Sequence, residues 1–285
     1  MPNSYATIGD IKGALVGNVT GTGNDARLRA LLESVSRTVD AYCARHFHSL
    51  TATRYLSGTG SYRLWLPQGY PDLISVTSIK EDEDANATYE TTWAAADYIL
   101  GPYDAVPTGR VYLPSTKPYG WIEVDQRSTG AKSAFATRQR AFELVGKWGY
   151  SESSYIDAAT ITVTTAATTA GTLSSDTGDV SPGHTLLLGT EQVYVSARTT
   201  TALTLVRGVN GTTAAIQAGG TVINIIEYPE PVREAVLIET GLLLETRGYR
   251  RAVGTPETGM VSAFGRTFSE ETRRKLDPYR SGVLV

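Results

Sequence analysis

The chain has 285 residues, enough for about two domains, and 41% of them are hydrophobic, which excludes bulk disorder. The formal net charge is −3 and the isoelectric point about 5.7, without the basic excess of a protein that grips duplex DNA. A mildly acidic surface lets DNA slide past instead, and the single cysteine, Cys43, excludes an intramolecular disulfide framework.

Met1–Asp10 carries neither a basic run nor an apolar core, so no signal peptide is expected there. Thr7–Val16 reads as a short helix followed by a Gly-rich loop. A longer helix is expected from about Asn24 to Arg45. Leu28, Leu31, Leu32, Val35, Val39, Tyr42 and Cys43 recur at helical spacing, with Asn24 as N-cap and Glu33–Arg37 as an i,i+4 pair. From about Thr53 to Val145 the period changes to two. Short strands are expected around Leu64, at Ile74–Val76, Tyr98–Leu100, Val111–Leu113, Trp121–Asp125 and Arg140–Val145, punctuated by Pro and Gly.

From about Ala158 to Ile226 the chain turns rich in Thr, Ala and Gly and nearly free of charge. Alternating runs at Ile161–Val163, Leu186–Leu188, Val193–Val195, Leu203–Val206 and Val222–Ile226 predict a small all-β module with its own core. Helix returns at Pro231, where a proline suits the first turn. Val232, Ala235, Val236, Glu239, Leu242 and Leu243 form its stripe and Gly248 is its expected stop. A flexible stretch from Val253 leads to a last helix, Glu270–Leu276, capped by Ser269 and ended by Asp277-Pro278. An unanchored tail follows. No apolar run, such as Ala235–Ile238 or Leu242–Leu244, is long enough to cross a membrane.

Several local patterns invite a chemical reading and lack what the chemistry needs. Gly21-Thr22-Gly23-Asn24-Asp25 opens a helix as a dinucleotide turn does, but no apolar strand precedes it and Asp25 would repel a pyrophosphate. Asp82, Asp84 and Asn86 have the spacing of a calcium loop. Ala87 stands where the sharp turn needs Gly, and Trp93 where the bidentate Glu belongs, so a solvated turn is expected. His46 and His48 share a face without a third His nearby in sequence, and Cys43 falls on the apolar side of its helix. With three histidines and no nucleophile elbow or phosphate loop, no catalytic, metal or cofactor site is expected and the chain is read as no enzyme.

One ordered set of segments carries a resemblance. The first long helix closes on Tyr42-Cys43-Ala44-Arg45-His46-Phe47. Leu64-Trp65-Leu66-Pro67 follows, then Ser75-Val76-Thr77-Ser78-Ile79-Lys80, Thr88-Tyr89-Glu90-Thr91-Thr92-Trp93 and Asp97-Tyr98-Ile99-Leu100. Phe142-Glu143-Leu144-Val145-Gly146-Lys147-Trp148-Gly149-Tyr150, Pro231-Val232-Arg233-Glu234-Ala235 and Leu276-Asp277-Pro278-Tyr279-Arg280 complete it. The series resembles the head–tail connector (adaptor) proteins of tailed bacteriophages. In that family the Gly-Lys-Trp-Gly-Tyr strand end runs almost directly into the Pro-Val-Arg-Glu helix. Here a Thr-rich segment containing Gly189-Thr190-Glu191-Gln192 and Val206-Arg207-Gly208-Val209-Asn210-Gly211-Thr212 stands between them, as an inserted domain would.

The resemblance implies an α+β fold: a small helical bundle with an antiparallel β region, an inserted all-β domain and an extended C-terminal tail. Residues 1–157 and 227–252 are then the connector core, 158–226 the insert and 253–285 the docking tail. It implies a structural virion subunit made in the host cytoplasm. About twelve copies form a closed ring beneath the portal protein and above a stopper or tail-completion protein, with duplex DNA passing through unread. Portal docking is expected from Phe264, Phe268, Arg273, Arg274, Leu276, Tyr279, Arg280 and Leu284, aromatic, aliphatic and basic anchors on a tail too short of apolar residues for a core of its own. The alternative is a cell-surface or tail-associated binding module in which the Thr-rich insert recognises carbohydrate. Tyr194 as the sole aromatic between Ala158 and Ile226 counts against it.

Overall fold

The computed structural model describes residues 3–14, 21–66, 72–103, 118–127, 132–249 and 268–281, with side chains in the helix that starts at Glu230 described as far as residue 244. It is an α+β chain whose strand pairings are antiparallel. Its residues cluster into two compact units. One is built from the N-terminal residues through Cys43, from Tyr155–Val209 and from Thr213–Arg280. The other is built mainly from Ala44–Ser154. This division differs from the expected one: the helices group with the Thr-rich segment rather than with the first β region.

In the first unit, α1 (Ile8–Ala14) and α2 (Asp25–Cys43) open the chain. Leu28, Leu31, Leu32, Val35, Val39 and Cys43 are all buried, the face their spacing dictates. The Asn24 carbonyl accepts from the Leu28 N–H, the first helical bond, which places the helix start where the N-cap reading put it. Lys12 lies 2.5 Å from Asp25 and donates to the Gly21 carbonyl, so the Gly21 loop is a helix lead-in. Glu33 does not pair with Arg37 as expected. It accepts from the buried Tyr194 hydroxyl (2.6 Å) and faces Arg29, while Arg37 pairs with the buried Asp40.

The second unit begins with β1 (Leu50–Leu56), β2 (Arg63–Trp65), β3 (Leu73–Glu81), β4 (Thr91–Trp93), β5 (Tyr98–Gly101), β6 (Trp121–Val124) and β7 (Phe142–Trp148). They form a sheet of order β1-β7-β3-β4 and a smaller one of order β2-β6-β5. Leu64, Ile122, Val124 and Leu144 point into a shared core where Trp93 stacks on Phe135 at 4.8 Å and Phe142 meets both edge-on. The β3–β7 ladder shifts register twice, and Gly146 sits in it where a Cβ would lie 2.4 Å from the Ser75 carbonyl oxygen. The expected strand at Val111–Leu113 lies outside the described residues.

The Thr-rich segment contributes β8 (Ser154–Val163), β9 (Ala170–Leu173), β10 (Thr185–Leu188), β11 (Glu191–Arg198), β12 (Ala202–Val206) and β13 (Gln217–Ile226), closed into a barrel of order β10-β11-β12-β9-β8-β13. Ile161, Val163, Leu186, Leu188, Val193, Val195, Leu203, Leu205, Ile223 and Ile225 fill its interior. A barrel of six strands is too narrow for a lumen once such side chains fill it. The Thr-rich composition is the outward half of the same alternation. In this closed order the entry strand β8 and the exit strand β13 are neighbours running in opposite directions, so the chain enters and leaves at one end.

The barrel belongs to the helical unit through specific links. Thr185 donates to Asn3, the Ile8 N–H to the Pro182 carbonyl (3.0 Å), and Arg29 to the Ser196 carbonyl. Gly183, at φ +106°, lets the barrel turn approach the N-terminal segment, since a Cβ there would lie 3.0 Å from the Thr7 Cα. Helix α3 (Glu230–Tyr249) follows β13 and packs on α1 and α2. Its stripe is buried through Thr240, whereas Leu242 and Leu243 are 41% and 38% exposed, a correction to the expected apolar face. Helix α4 (Glu270–Leu276) has the expected bounds, and the Ser269 hydroxyl accepts from the Thr272 N–H as its cap.

Candidate functional site

The candidate docking residues of the C-terminal segment divide into two groups. Phe268, Leu276 and Tyr279 are buried at 3%, 0% and 1% exposure. Phe268 meets the Tyr42 ring edge-on at 5.4 Å, the Tyr42 hydroxyl donates to Asp277 (2.6 Å), and the Cys43 thiol reaches the Leu276 carbonyl. The Ser269 N–H donates to the α3 residue Glu239 at 2.7 Å. These apolar residues close the chain's own helical core, so the expected unanchored tail is corrected at Tyr279, its first residue, which is buried. Burial against α2 and α3 removes their apolar surface from water. Cations form the second group. Arg274 and Arg280 are exposed and Arg273 and Lys275 half-buried. Arg274 pairs with Glu270 one turn away, and Arg280 lies 5.2 Å from the Tyr42 ring centre. Phe264 and Leu284 lie outside the described residues.

A second surface, which the sequence reading did not single out, lies on the outer face of the β2-β6-β5 sheet in the other unit. Register places Trp65 opposite Trp121 and Arg63 opposite Glu123. Trp65 is 63% exposed and Tyr103 59%. The Arg63 guanidinium lies over the Tyr62, Trp65 and Trp121 rings and pairs with Glu123, which also accepts from the Tyr103 hydroxyl. That bond raises the Tyr103 phenol above its ordinary range. Exposed Trp and Tyr around a fixed Arg is the composition of an interface anchor. The signal was available: in Leu64-Trp65-Leu66, period two sends Trp65 to the face opposite the core.

The acidic turn, the histidine pair and the insert motifs each have a defined local geometry. Both Asp82 carboxylate oxygens accept backbone N–H groups, from Ala85 (2.7 Å), Asn86 and Ala87 (2.9 Å). Desolvation opposes the charge, but these N–H bonds outweigh it and hold Asp82 below the usual carboxylate range. Asp82, Asp84 and Glu90 gather at this solvated turn, which has the chemistry of an Asx loop. His46 and His48 lie ring to ring at 4.9 Å beside the buried Phe47. Glu191 is fully buried, held by Arg207 through Nε (2.8 Å) and Nη2 (2.7 Å), by the Gly208 and Ala215 N–H groups and by Gln217. Burial works against its charge, yet the guanidinium and the two N–H groups hold its carboxyl below the ordinary value. The Gly-Thr-Glu-Gln and Val-Arg-Gly pieces of the Thr-rich segment are therefore one internal clasp that pins the strand turns of the barrel.

Tyr194 is 1% exposed with its hydroxyl on Glu33, so the lone aromatic between Ala158 and Ile226 offers no stacking surface. No helix among the described residues is long and apolar enough to cross a membrane. Comparisons with protein-family models, with curated proteins and with solved structures gave no match.

Proposed function

We propose that the chain is a structural head–tail connector (adaptor) subunit of a tailed bacteriophage, one copy of a closed ring beneath the portal through which the packaged DNA leaves. The ordered connector-like segments support this reading, and one structural observation carries it. Helices α2 and α3 pack together although 186 residues separate Cys43 from Glu230, and the barrel within that span enters and leaves through adjacent strands. An insertion into a connector core requires this geometry, because adjacent ends let the host elements close as if uninterrupted. In this reading the helical bundle of the family corresponds to α1–α4, and the barrel decorates it. A ring built by heterologous contacts needs two unlike surfaces on each subunit. The Trp65–Arg63 shelf serves the neighbouring copy, and the exposed cations of the C-terminal segment serve the portal. The net charge of −3 suits a channel wall that DNA passes without binding.

The assignment of the portal-facing cations is tested by Arg274→Glu with Arg280→Glu. Both residues are exposed, and the Arg274–Glu270 pair contributes at most about 0.5 kcal/mol, so the variant should fold normally. Wild-type protein is expected to sediment with purified portal rings and the folded double variant to stay in the supernatant. A double variant that pellets with portal as the wild type does contradicts this docking surface.

A further inference from the structure

One cavity of about 420 Å³ lies within the first unit, and nothing in the connector reading uses it. That volume falls within the roughly 300–1,000 Å³ of small-molecule sites. The N-terminal segment, the turn before β10, the start of β8 and the start of α3 meet there. Four carboxylates line it (Asp10, Asp179, Glu227 and Glu230) against one guanidinium, Arg233. Arg233 is already committed to Asp10 (2.9 Å) and Glu230 (2.6 Å), and Asp10 is further fixed by the Thr7 N–H at 2.8 Å. Asp179 and Glu227 are exposed to the cavity's solvent and pair with no cation among the described residues.

A second observation is independent of the charge. His184, largely buried in the wall, accepts the Ser181 N–H at Nδ1 (3.0 Å), which fixes the tautomer with hydrogen on Nε2. Nε2 makes no hydrogen bond to the described residues, and His184 is part of the cavity lining. Burial, opposed by Asp10, Asp157 and Asp179, pushes its pKa down to about 4, so it remains a neutral donor at neutral pH. Tyr155 and Tyr228 add aromatic wall. Asp10, Asp179 and His184 do not bring three ligand atoms within 4.8 Å of one another, which disfavours a bare metal ion.

We infer that this cavity binds an organic cation, an alkylguanidinium or alkylammonium group, whose charge Asp179 and Glu227 neutralise and whose neighbouring acceptor oxygen takes the His184 Nε2–H. Carboxylates supply charge-assisted bonds and the tyrosine rings a cation–π wall. The cation can come from a basic peptide residue, whose own carbonyl is the acceptor, or from a free polyamine. The site stands whether or not the chain forms a ring.

Calorimetric titration of the full chain distinguishes these cases. The probes are Nα-acetyl-arginine N-methylamide, its neutral citrulline isostere, and putrescine. The arginine probe is expected to bind saturably and the citrulline probe at least about tenfold more weakly, a difference of about 1.4 kcal/mol. Asp179→Asn with Glu227→Gln, both exposed, should keep the unfolding temperature and lose the arginine probe by a similar factor. Preference for the arginine probe over putrescine assigns a peptide source, and equal binding a free amine. No binding at millimolar probe, equal affinity for the citrulline isostere, or wild-type affinity in the folded double variant overturns the inference.

Discussion

His184 shows how one buried side chain ties stability to pH. Its folded-state pKa of about 4 lies below the unfolded value of about 6.5. Above the unfolded value both states hold a neutral imidazole and the group adds no pH dependence. As pH falls from about 6.5 to about 4, the unfolded chain takes up a proton that the folded chain refuses, and stability is lost, up to roughly 3 kcal/mol, with no further loss below. His184→Gln should therefore flatten that part of the urea-unfolding profile. The difference between wild type and variant isolates the His184 contribution from that of every other titrating group. Identical pH profiles would contradict the burial of this ring. At this scale the sequence was partly legible. Helical spacing placed Cys43, Val35 and Leu32 inside, where they are. Spacing alone could not choose partners: Glu33 sits one turn from both Arg29 and Arg37, and the buried Tyr194 hydroxyl, 161 residues away, decides its place.

At the scale of elements, the C-terminal helix separates what a sequence states from what it leaves open. Ser269, the charged first and last turns and Pro278 fix its bounds locally, because capping and the helix dipole act within one turn. Its destination is set by Phe268, Leu276 and Tyr279, whose spacing marks a buried face without naming the surface that buries it. A tail docked on a portal and a tail folded onto α2 and α3 present the same pattern. The structure has the second arrangement, and truncation after Gly259 should therefore destabilise the chain itself. Removing a buried Phe or Leu side chain costs about 2–5 kcal/mol, and three such residues are lost together. The truncated protein should melt at a clearly lower temperature and bind a hydrophobic dye. Wild-type melting would contradict the packing of Phe268, Leu276 and Tyr279. The barrel was more legible, since alternation at Ile161–Val163, Leu203–Val206 and Val222–Ile226 states both strand and inward face. Its closure into six strands was not, because register between distant strands is a non-local choice.

Across the whole molecule, the composition shift at the Thr-rich segment marked a separate β module, but it did not reveal which neighbour that module joins. Arg29, Glu33, Asn3 and Ile8 bind it to the helices through contacts 160 to 190 residues apart in sequence, beyond the reach of any local pattern. The connector reading rests on the order of its segments and on the adjacency of the barrel's first and last strands, and its central claim is assembly. Negative-stain microscopy of the purified chain mixed with portal rings tests that claim most directly. The account predicts a continuous extra ring, with the portal's own rotational symmetry, on the tail-facing end of the portal. Portal particles without added density beside dispersed single copies of the chain would contradict it.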